Sequence, residues 1–464
     1  MANSIIENVE ITDIGSQGKA IGKQNEKVYF VESLVPGDIA DIQVYKKKKN
    51  YAEAFPVNIR TYSPLRTPAK CTHFGECGGC KWQHMNYAEQ LKYKQKQVAD
   101  ALVRLAKVEF SEILPIIGSD NEYYYRNKLE FTFSSKRWIT KKEAEEGCPI
   151  NEPNALGFHI PGRFDKILDI NECFLQPEPS NLIRNFIRKY ALKNNLTFYD
   201  VRNHTGLLRN IILRNTTLGE WMLIVIFAQN NKEEISKLMN ELHTTFTQIN
   251  SLLYVVNTKK NDTILDQDVI TFKGNNFITE KMGTLKYRIS PKSFFQTNTH
   301  QAKKLYDVAL QFADLNGTEN VYDLYTGTGT IANYIAHAAK KVIGIEYVED
   351  AIADAKINAQ LNNIQNTQFF AGDLKDVFLP EFIQLHDKPD VIITDPPRAG
   401  MHPDVVQRLI ESGANKIVYV SCNPASQARD IALLDSAYKV LKVQPVDMFP
   451  HTHHVENVIL LEKR

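Results

Sequence analysis

DLYTGTGTIANYIAHAAKKVIGIE, from Asp323 to Glu346, reads as a strand, a tight glycine turn, a helix and a second strand. The alternation continues around it. NVYDLYT, KVIGIEYV, TQFFAGD, DVIITDPP and KIVYVSC are short apolar runs separated by helix-length stretches. That pattern predicts a doubly wound, mainly parallel sheet with its ligand site at the carboxyl ends of the strands.

A GxG pair alone says little about the ligand. Asp323 before the loop and Glu346 at the end of the next strand say more. An acid about 20 residues past such a loop is placed to accept hydrogen bonds from ribose hydroxyls. The third glycine of the dinucleotide fingerprint is missing, and Asp323 would repel a pyrophosphate. An acid there suits a ligand with an ammonium and a sulfonium, namely S-adenosylmethionine, its carboxylate at the helix N-terminus after Gly329. The ring of Tyr325 would face the sulfonium. Asp373, closing a third strand, would meet the adenine amino group.

Three further pieces lie downstream: DPPRAG (Asp395 to Gly400), VSCNP (Val420 to Pro424) and HTHHVEN (His451 to Asn457). Cys422 ends a strand of the predicted sheet, and Asn423-Pro424 turns the chain there. A free thiol with a pKa of about 8.5 is mostly protonated at neutral pH, so it needs activation by its surroundings. Carbon 5 of uracil is a poor nucleophile. Addition of a thiolate at carbon 6 makes carbon 5 enolate-like, able to take a methyl group, and a base must then remove the carbon 5 hydrogen. Cys422 is the candidate nucleophile and Glu456 the candidate base. His451 and His454 form a weaker candidate metal pair, since no acid cluster accompanies them.

Upstream, residues 4 to about 62 alternate apolar and polar in short runs punctuated by glycines and Pro36-Gly37, which predicts a small β-barrel. Lys46 to Lys49 would sit at a hairpin tip, either as a solvated loop or meeting backbone phosphates. Cys71, Cys77 and Cys80 cluster around Gly78-Gly79, and a helix from Tyr87 to Leu105 follows. Spacing alone leaves zinc and iron–sulfur open, although three close thiolates with flexible glycines lean towards a cluster. Residues 123–280 mix strands with two amphipathic helices around a charged insert, Lys136 to Pro153, expected to be an exposed loop.

The expected architecture is therefore multidomain. A small β-barrel spans 1–62, an α+β domain with the cysteine group spans 63–285, and a doubly wound α/β domain carrying the candidate methyl-transfer site spans 286–464. With 464 residues, 43% hydrophobic and 23% charged, the composition is that of a globular protein. No run of eighteen apolar residues occurs, so no membrane span is expected. The N-terminus lacks the basic and apolar regions of a signal peptide. Six cysteines then read as metal or catalytic groups of a cytoplasmic protein rather than as disulfides. Net charge is +1, unevenly spread. Residues 301–464 hold 15 Lys/Arg against 21 Asp/Glu, whereas 1–100 hold 14 against 11 and 101–300 hold 26 against 22. The first two thirds are the part able to attract phosphate.

SFFQTNT, DLYTGTGT, GIEYVEDAI, DPPRAG, YVSCNPASQARD and PHTHHVENV, in this order, resemble the motifs of the RNA uracil-5-methyltransferase family. Cytosine-5 enzymes acting on RNA carry a Pro-Cys pair after the fourth strand, where this chain has Asp395-Pro396-Pro397-Arg398. The resemblance implies cofactor contacts from Gln296, Tyr325, Glu346, Asp373 and Asp395, with Cys422 as nucleophile and Glu456 as base. It extends upstream, where the barrel looks like a TRAM domain, which implies a barrel of the oligonucleotide-binding type, and Cys71-x5-Cys77-Gly-Gly-Cys80 matches an iron–sulfur motif, which makes the second domain one with a metal cluster. The implied group is a [4Fe–4S] cluster with Cys173 as fourth ligand, Cys148 being the rival. Barrel and cluster together imply 23S ribosomal RNA as substrate rather than transfer RNA, and a monomer. The other class of reading is a non-catalytic RNA-binding or redox-sensing protein, which the intact Cys422, Glu456 and glycine loop argue against.

Overall fold

Alternating apolar and polar residues in the first sixty positions close into a barrel. The structure is a computed structural model that describes residues 5–147, 149 and 152–464. Strands β1 (Ile5–Ile14), β2 (Ala20–Gln24), β3 (Lys27–Val31), β4 (Ile39–Lys47) and β5 (Tyr51–Thr61) follow the order β1-β2-β3-β5-β4 and close on themselves. Their inward side chains are small or branched: Val9, Ile11, Ala20, Val31, Ala40, Ile42, Ala52 and Ala54 are essentially inaccessible. Closure removes the exposed edges that a sheet this small would otherwise carry. The lysine run lies at the hairpin joining β4 to β5, as its sequence suggests.

The next strand, β6 (Phe110–Ile113), leaves for the C-terminal sheet described below. Strands β7 (Lys128–Ser134), β8 (Ala155–Ile160), β9 (Arg163–Asp169), β10 (Leu208–Asn215), β11 (Trp221–Phe227), β12 (Ile249–Val256) and β13 (Val269–Gly274) form a seven-stranded sheet in the order β13-β12-β11-β10-β7-β8-β9. Every residue of β11, WMLIVIF, is buried. Period-two geometry explains why. Leu223 and Val225 pack with Ile183, Ile187, Ile235 and Leu238 of the helices Ser180–Lys193 and Lys232–Thr245. Met222, Ile224 and Ile226 face the other way, into one core with Ile278, Tyr287, Phe295, Ala302 and Leu305. The central sheet is thus fused to the C-terminal domain through a shared apolar core.

A hairpin of β14 (Ile278–Met282) and β15 (Leu285–Ile289) leads into the helix Thr299–Ala313. Beyond it lie β16 (Asn320–Leu324), β17 (Lys341–Glu346), β18 (Thr367–Ala371), β19 (Val391–Thr394), β20 (Lys416–Ser421), β21 (Tyr438–Val446) and β22 (Glu456–Lys463). They form an eight-stranded sheet in the order β18-β17-β16-β19-β20-β22-β21-β6. The first five strands are parallel and doubly wound, as the alternation predicts. β22 runs antiparallel to β20 and β21, and β6 adds an edge from within residues 63–285. The described part of the charged insert is not a plain loop. It holds a short helix, Lys141–Glu145, with a capping box at Thr140. Trp138 Nε1 ties it to Glu76 Oε2 at 2.8 Å. Cys148 lies outside the described residues.

Candidate active site

The parallel strands end on one edge, and one cavity of about 1200 Å³ opens there. Gln296, Tyr325, Glu346, Asp373, Asp395, Cys422 and Glu456 all line it. The volume exceeds the roughly 300–1,000 Å³ of an ordinary small-molecule pocket, which leaves room for a nucleoside cofactor and a substrate base together.

Register brings the two candidate catalytic residues together. In the antiparallel pairing of β20 with β22, Ser421 is the partner of Asn457. Cys422 follows Ser421 and Glu456 precedes Asn457, so both lie one residue beyond this pair, where β20 stops and the helix Pro424–Leu434 starts. Asn423 caps that helix, its side chain accepting from the Ala425 N–H. Asn423 Nδ2 and Ser426 Oγ both donate to the Arg398 carbonyl, at 3.0 and 3.1 Å. One turn on, Arg429 Nη2 donates to the carbonyls of Ala399 and Met401, and Asp430 Oδ2 accepts from the Met401 N–H at 2.8 Å. One face of this helix therefore fixes the loop that carries Asp395. Gly400 (φ 81°) completes the fit, because a Cβ there would come within 2.6 Å of Arg429 Nη2 and Asp430 Oδ2.

Three acids crowd the strand ends. Among the described residues neither the Glu456 nor the Asp395 carboxyl has a hydrogen-bond donor. Burial raises Glu456 to about 8, and the Asp395 carboxylate adds to the rise. Burial likewise raises Asp395 to about 7, with Asp323 adding. Cys422 is pushed up to about 11 by burial and then by Glu456 and Asp395, while Arg398 pulls the other way. A cation entering the cavity opposes each of these shifts, because it favours the ionised form of every one of these groups.

The glycine loop differs from its sequence reading in one respect. Asp323 is fully buried beneath the loop and is not part of the cavity wall. Its Oδ2 accepts from Thr326 Oγ1 at 2.5 Å and from the Ala332 N–H at 3.0 Å. An N–H expected to meet the ligand carboxylate is therefore already taken by the protein. Glu346 does face the cavity, oriented by the N–H groups of Gly327 at 3.2 Å and Val348 at 3.0 Å. Tyr325 adopts φ 63°, a left-handed conformation rare for an aromatic residue, which costs on the order of 1–3 kcal/mol and marks a site-imposed geometry. Asp373 caps a short helix, accepting from the Lys375 N–H at 3.1 Å. Gln296 is held through its carbonyl, which accepts from Asn127 Nδ2 at 2.9 Å.

The histidines diverge. His451 Nδ1 meets Gln90 Nε2 at 3.2 Å, whereas His454 lines the cavity. Among the described residues no group of three or more His, Cys, Asp or Glu side chains is arranged to hold a metal ion. Cys71, Cys77, Cys80 and Cys173 nonetheless line one small cavity, with His73, Gln83 and Glu172. Arg126 was missed in the sequence. It lines the catalytic cavity over the Phe449 ring, its Nε buried without a partner. Its signal was an arginine closing an aromatic run, YYYRNK. The segment carrying it is clamped between the Cys173 stretch and the catalytic domain: Arg126 N donates to the Leu175 carbonyl and Asn127 N to that of Thr297, both at 2.8 Å.

Comparison with known proteins agrees with this geometry. Residues 208–464 match the family model for tRNA (uracil-5-)-methyltransferase, and residues 6–57 match the TRAM domain. An uncharacterized RNA methyltransferase of Bacteroides thetaiotaomicron is 54% identical over 97% of this chain and 100% of its own. Another, of Porphyromonas gingivalis, is 52% identical over 98% of this chain and 99% of its own. The crystal structure of Pyrococcus abyssi tRNA (uracil-54, C5)-methyltransferase in complex with S-adenosyl-L-homocysteine is 29% identical. It covers 98% of this chain and 100% of its own, with a TM-score of 0.75. Fold and cavity are those of an S-adenosylmethionine-dependent methyltransferase. The chain belongs to the RNA (uracil-5-)-methyltransferase family.

Proposed function

We propose that this enzyme methylates carbon 5 of a uridine in 23S ribosomal RNA through a transient bond between Cys422 and carbon 6 of the base. The reading rests on one observation above all: the Cys422 thiol and the Glu456 carboxyl, which has no hydrogen-bond donor among the described residues, line the same ligand cavity one residue beyond the Ser421–Asn457 pair. Bound S-adenosylmethionine supplies an electrophilic methyl group. Gln296, Tyr325, Glu346, Asp373 and Asp395 hold that ligand, the acids meeting its hydroxyl and amino groups and its positive charge. The Cys422 thiolate adds to carbon 6, and the ring electrons move to carbon 5, which takes the methyl group. Glu456 then accepts the carbon 5 proton as the ring double bond re-forms and the sulfur–carbon bond breaks. The substrate uridine must leave its stack to reach this cavity, which costs a few kcal/mol. Barrel contacts to phosphate offset part of that cost.

Barrel and cysteine group together favour ribosomal RNA on sequence resemblance. Transfer RNA is the second reading. It is favoured by the likeness to the Pyrococcus abyssi enzyme along nearly the whole chain, barrel included. Mapping 5-methyluridine in a deletion strain separates the two. Loss from 23S RNA, restored by the wild-type gene and not by Cys422→Ala, supports the proposal. Loss confined to transfer RNA overturns its substrate, and no loss in either overturns the uridine reading.

The four cysteines bind a [4Fe–4S] cluster on this proposal. Four thiols around one cavity form a soft donor set suited to iron–sulfur. A single ion with metal–sulfur bonds of about 2.3 Å needs its donors nearly in contact. A cube of iron and sulfide accepts donors set further apart. Burial raises the Cys77 and Cys80 thiols to about 12 and about 11, and a bound metal would favour their ionised forms. The protein acts as a cytoplasmic monomer on the same reading.

A further inference from the structure

Arg184 lies in the helix Ser180–Lys193 with no exposed surface. Its Nη2 donates to the Asn171 carbonyl at 2.6 Å and to Asn185 Oδ1 at 3.1 Å. Nε and Nη1 are buried and meet no acceptor, and no carboxylate forms an ion pair with the guanidinium among the described residues. The Phe131 ring packs 5.2 Å from it. A guanidinium so placed carries a buried charge without an ion pair and two nitrogens without an acceptor among the described residues, a costly arrangement that calls for a counter-charge close by.

The surroundings indicate what that counter-charge is. One turn earlier on the same helix, Asn181 Oδ1 accepts from the Cys173 N–H at 2.8 Å and Asn181 Nδ2 donates to the Cys173 carbonyl at 3.2 Å. The Asn171 N–H, in turn, donates to His73 Nε2 at 3.1 Å, and His73 and Cys173 both line the four-cysteine cavity. The helix face that clamps the fourth cysteine therefore also presents the unpaired arginine. An ionised Cys173 would favour the charged form of Arg184, as do the Asp169 and Glu178 carboxylates.

We propose that Arg184 is the counter-cation of the four-cysteine group, compensating its net negative charge and setting the reduction potential of the cluster it holds. The inference rests on the cluster reading above. Arg184 is a positioning and charge-tuning residue, with no contact to the RNA or the methyl donor. A positive charge behind the cluster favours the state with one more electron, so its removal makes the potential more negative.

The test uses full-length protein purified anaerobically, with iron and sulfide content measured and the midpoint potential read by redox titration. Arg184→Met is expected to keep iron and to titrate at a more negative potential than wild type, while Arg184→Lys stays close to wild type. An iron-loaded Arg184→Met with an unchanged potential overturns the role of Arg184 and leaves the cluster reading standing. Wild-type protein without iron overturns the cluster reading and this proposal with it. If Arg184→Met loses its iron, the lysine variant decides. Iron retained at the wild-type potential supports a charge role, and iron lost there as well shows that fork geometry alone mattered and overturns it.

Discussion

Asn457 Nδ2 donates to Gln427 Oε1 at 2.8 Å, and Gln427 Nε2 returns to the Asn457 carbonyl at 3.2 Å and to that of Tyr419 at 2.9 Å. All three groups are buried. This amide pair pins β20 to β22 next to the Ser421–Asn457 register, and so fixes Cys422 relative to Glu456. Gln427→Leu takes away the acceptor of the buried Asn457 amide, at about 1–3 kcal/mol. It is expected to lower kcat more than it raises KM for the methyl donor, whose proposed contacts lie elsewhere in the cavity. Steady-state kinetics with thermal melts checks this. Equal stability with unchanged kcat would show that the register needs no such brace.

Glu456→Gln separates methyl transfer from release. The variant keeps its shape and loses the proton acceptor, so turnover falls by roughly 10²–10⁴. Methylated RNA linked to protein should accumulate on a denaturing gel. Free product at the wild-type rate would remove Glu456 from its role.

Binding of the methyl donor should release protons. Glu456 at about 8 and Asp395 at about 7 are largely protonated in the empty cavity below neutral pH, and a sulfonium favours their ionised forms. Affinity for S-adenosylmethionine should rise between pH 6 and 8 and then level off, more steeply than affinity for the uncharged thioether of S-adenosylhomocysteine. Calorimetry in buffers of different ionisation enthalpy measures the protons directly, and Glu456→Gln should reduce them.

The same acids destabilise the empty protein at alkaline pH. Glu456 rises from 4.5 in the unfolded chain to about 8 when folded, so the native state holds a proton that the unfolded chain releases. Its contribution is fully present below pH 4.5 and is lost as pH rises through about 8. Ligand-free Glu456→Gln should therefore melt above wild type at pH 8 and close to wild type near pH 5.

Much of this was legible in the sequence because local pattern and global fold agree. Alternation in 4–62 gave the barrel, and the strand–helix rhythm after 290 gave the parallel sheet and the edge where Cys422 and Asp395 meet. What periodicity cannot show is pairing across distance. Phe110–Ile113 joins β21 more than three hundred residues away. Asp323 looked like a ligand-facing acid because its position in the chain is that of one, yet the Thr326 hydroxyl and Ala332 N–H turn it inward. The SCNPASQARD run reads as a motif around its cysteine. Only the helix shows that Ser426, Arg429 and Asp430 share a face and hold the neighbouring loop.

Trapping tests the central claim most directly. RNA containing 5-fluorouridine at the target position blocks the final proton removal, because carbon 5 then carries fluorine instead of hydrogen. Incubated with the enzyme and S-adenosylmethionine, it should yield a stable protein–RNA adduct that peptide mass spectrometry places on Cys422 and that Cys422→Ala does not form. RNA that binds and is methylated in its unfluorinated form, with no adduct on Cys422 from the fluorinated one, would contradict the account.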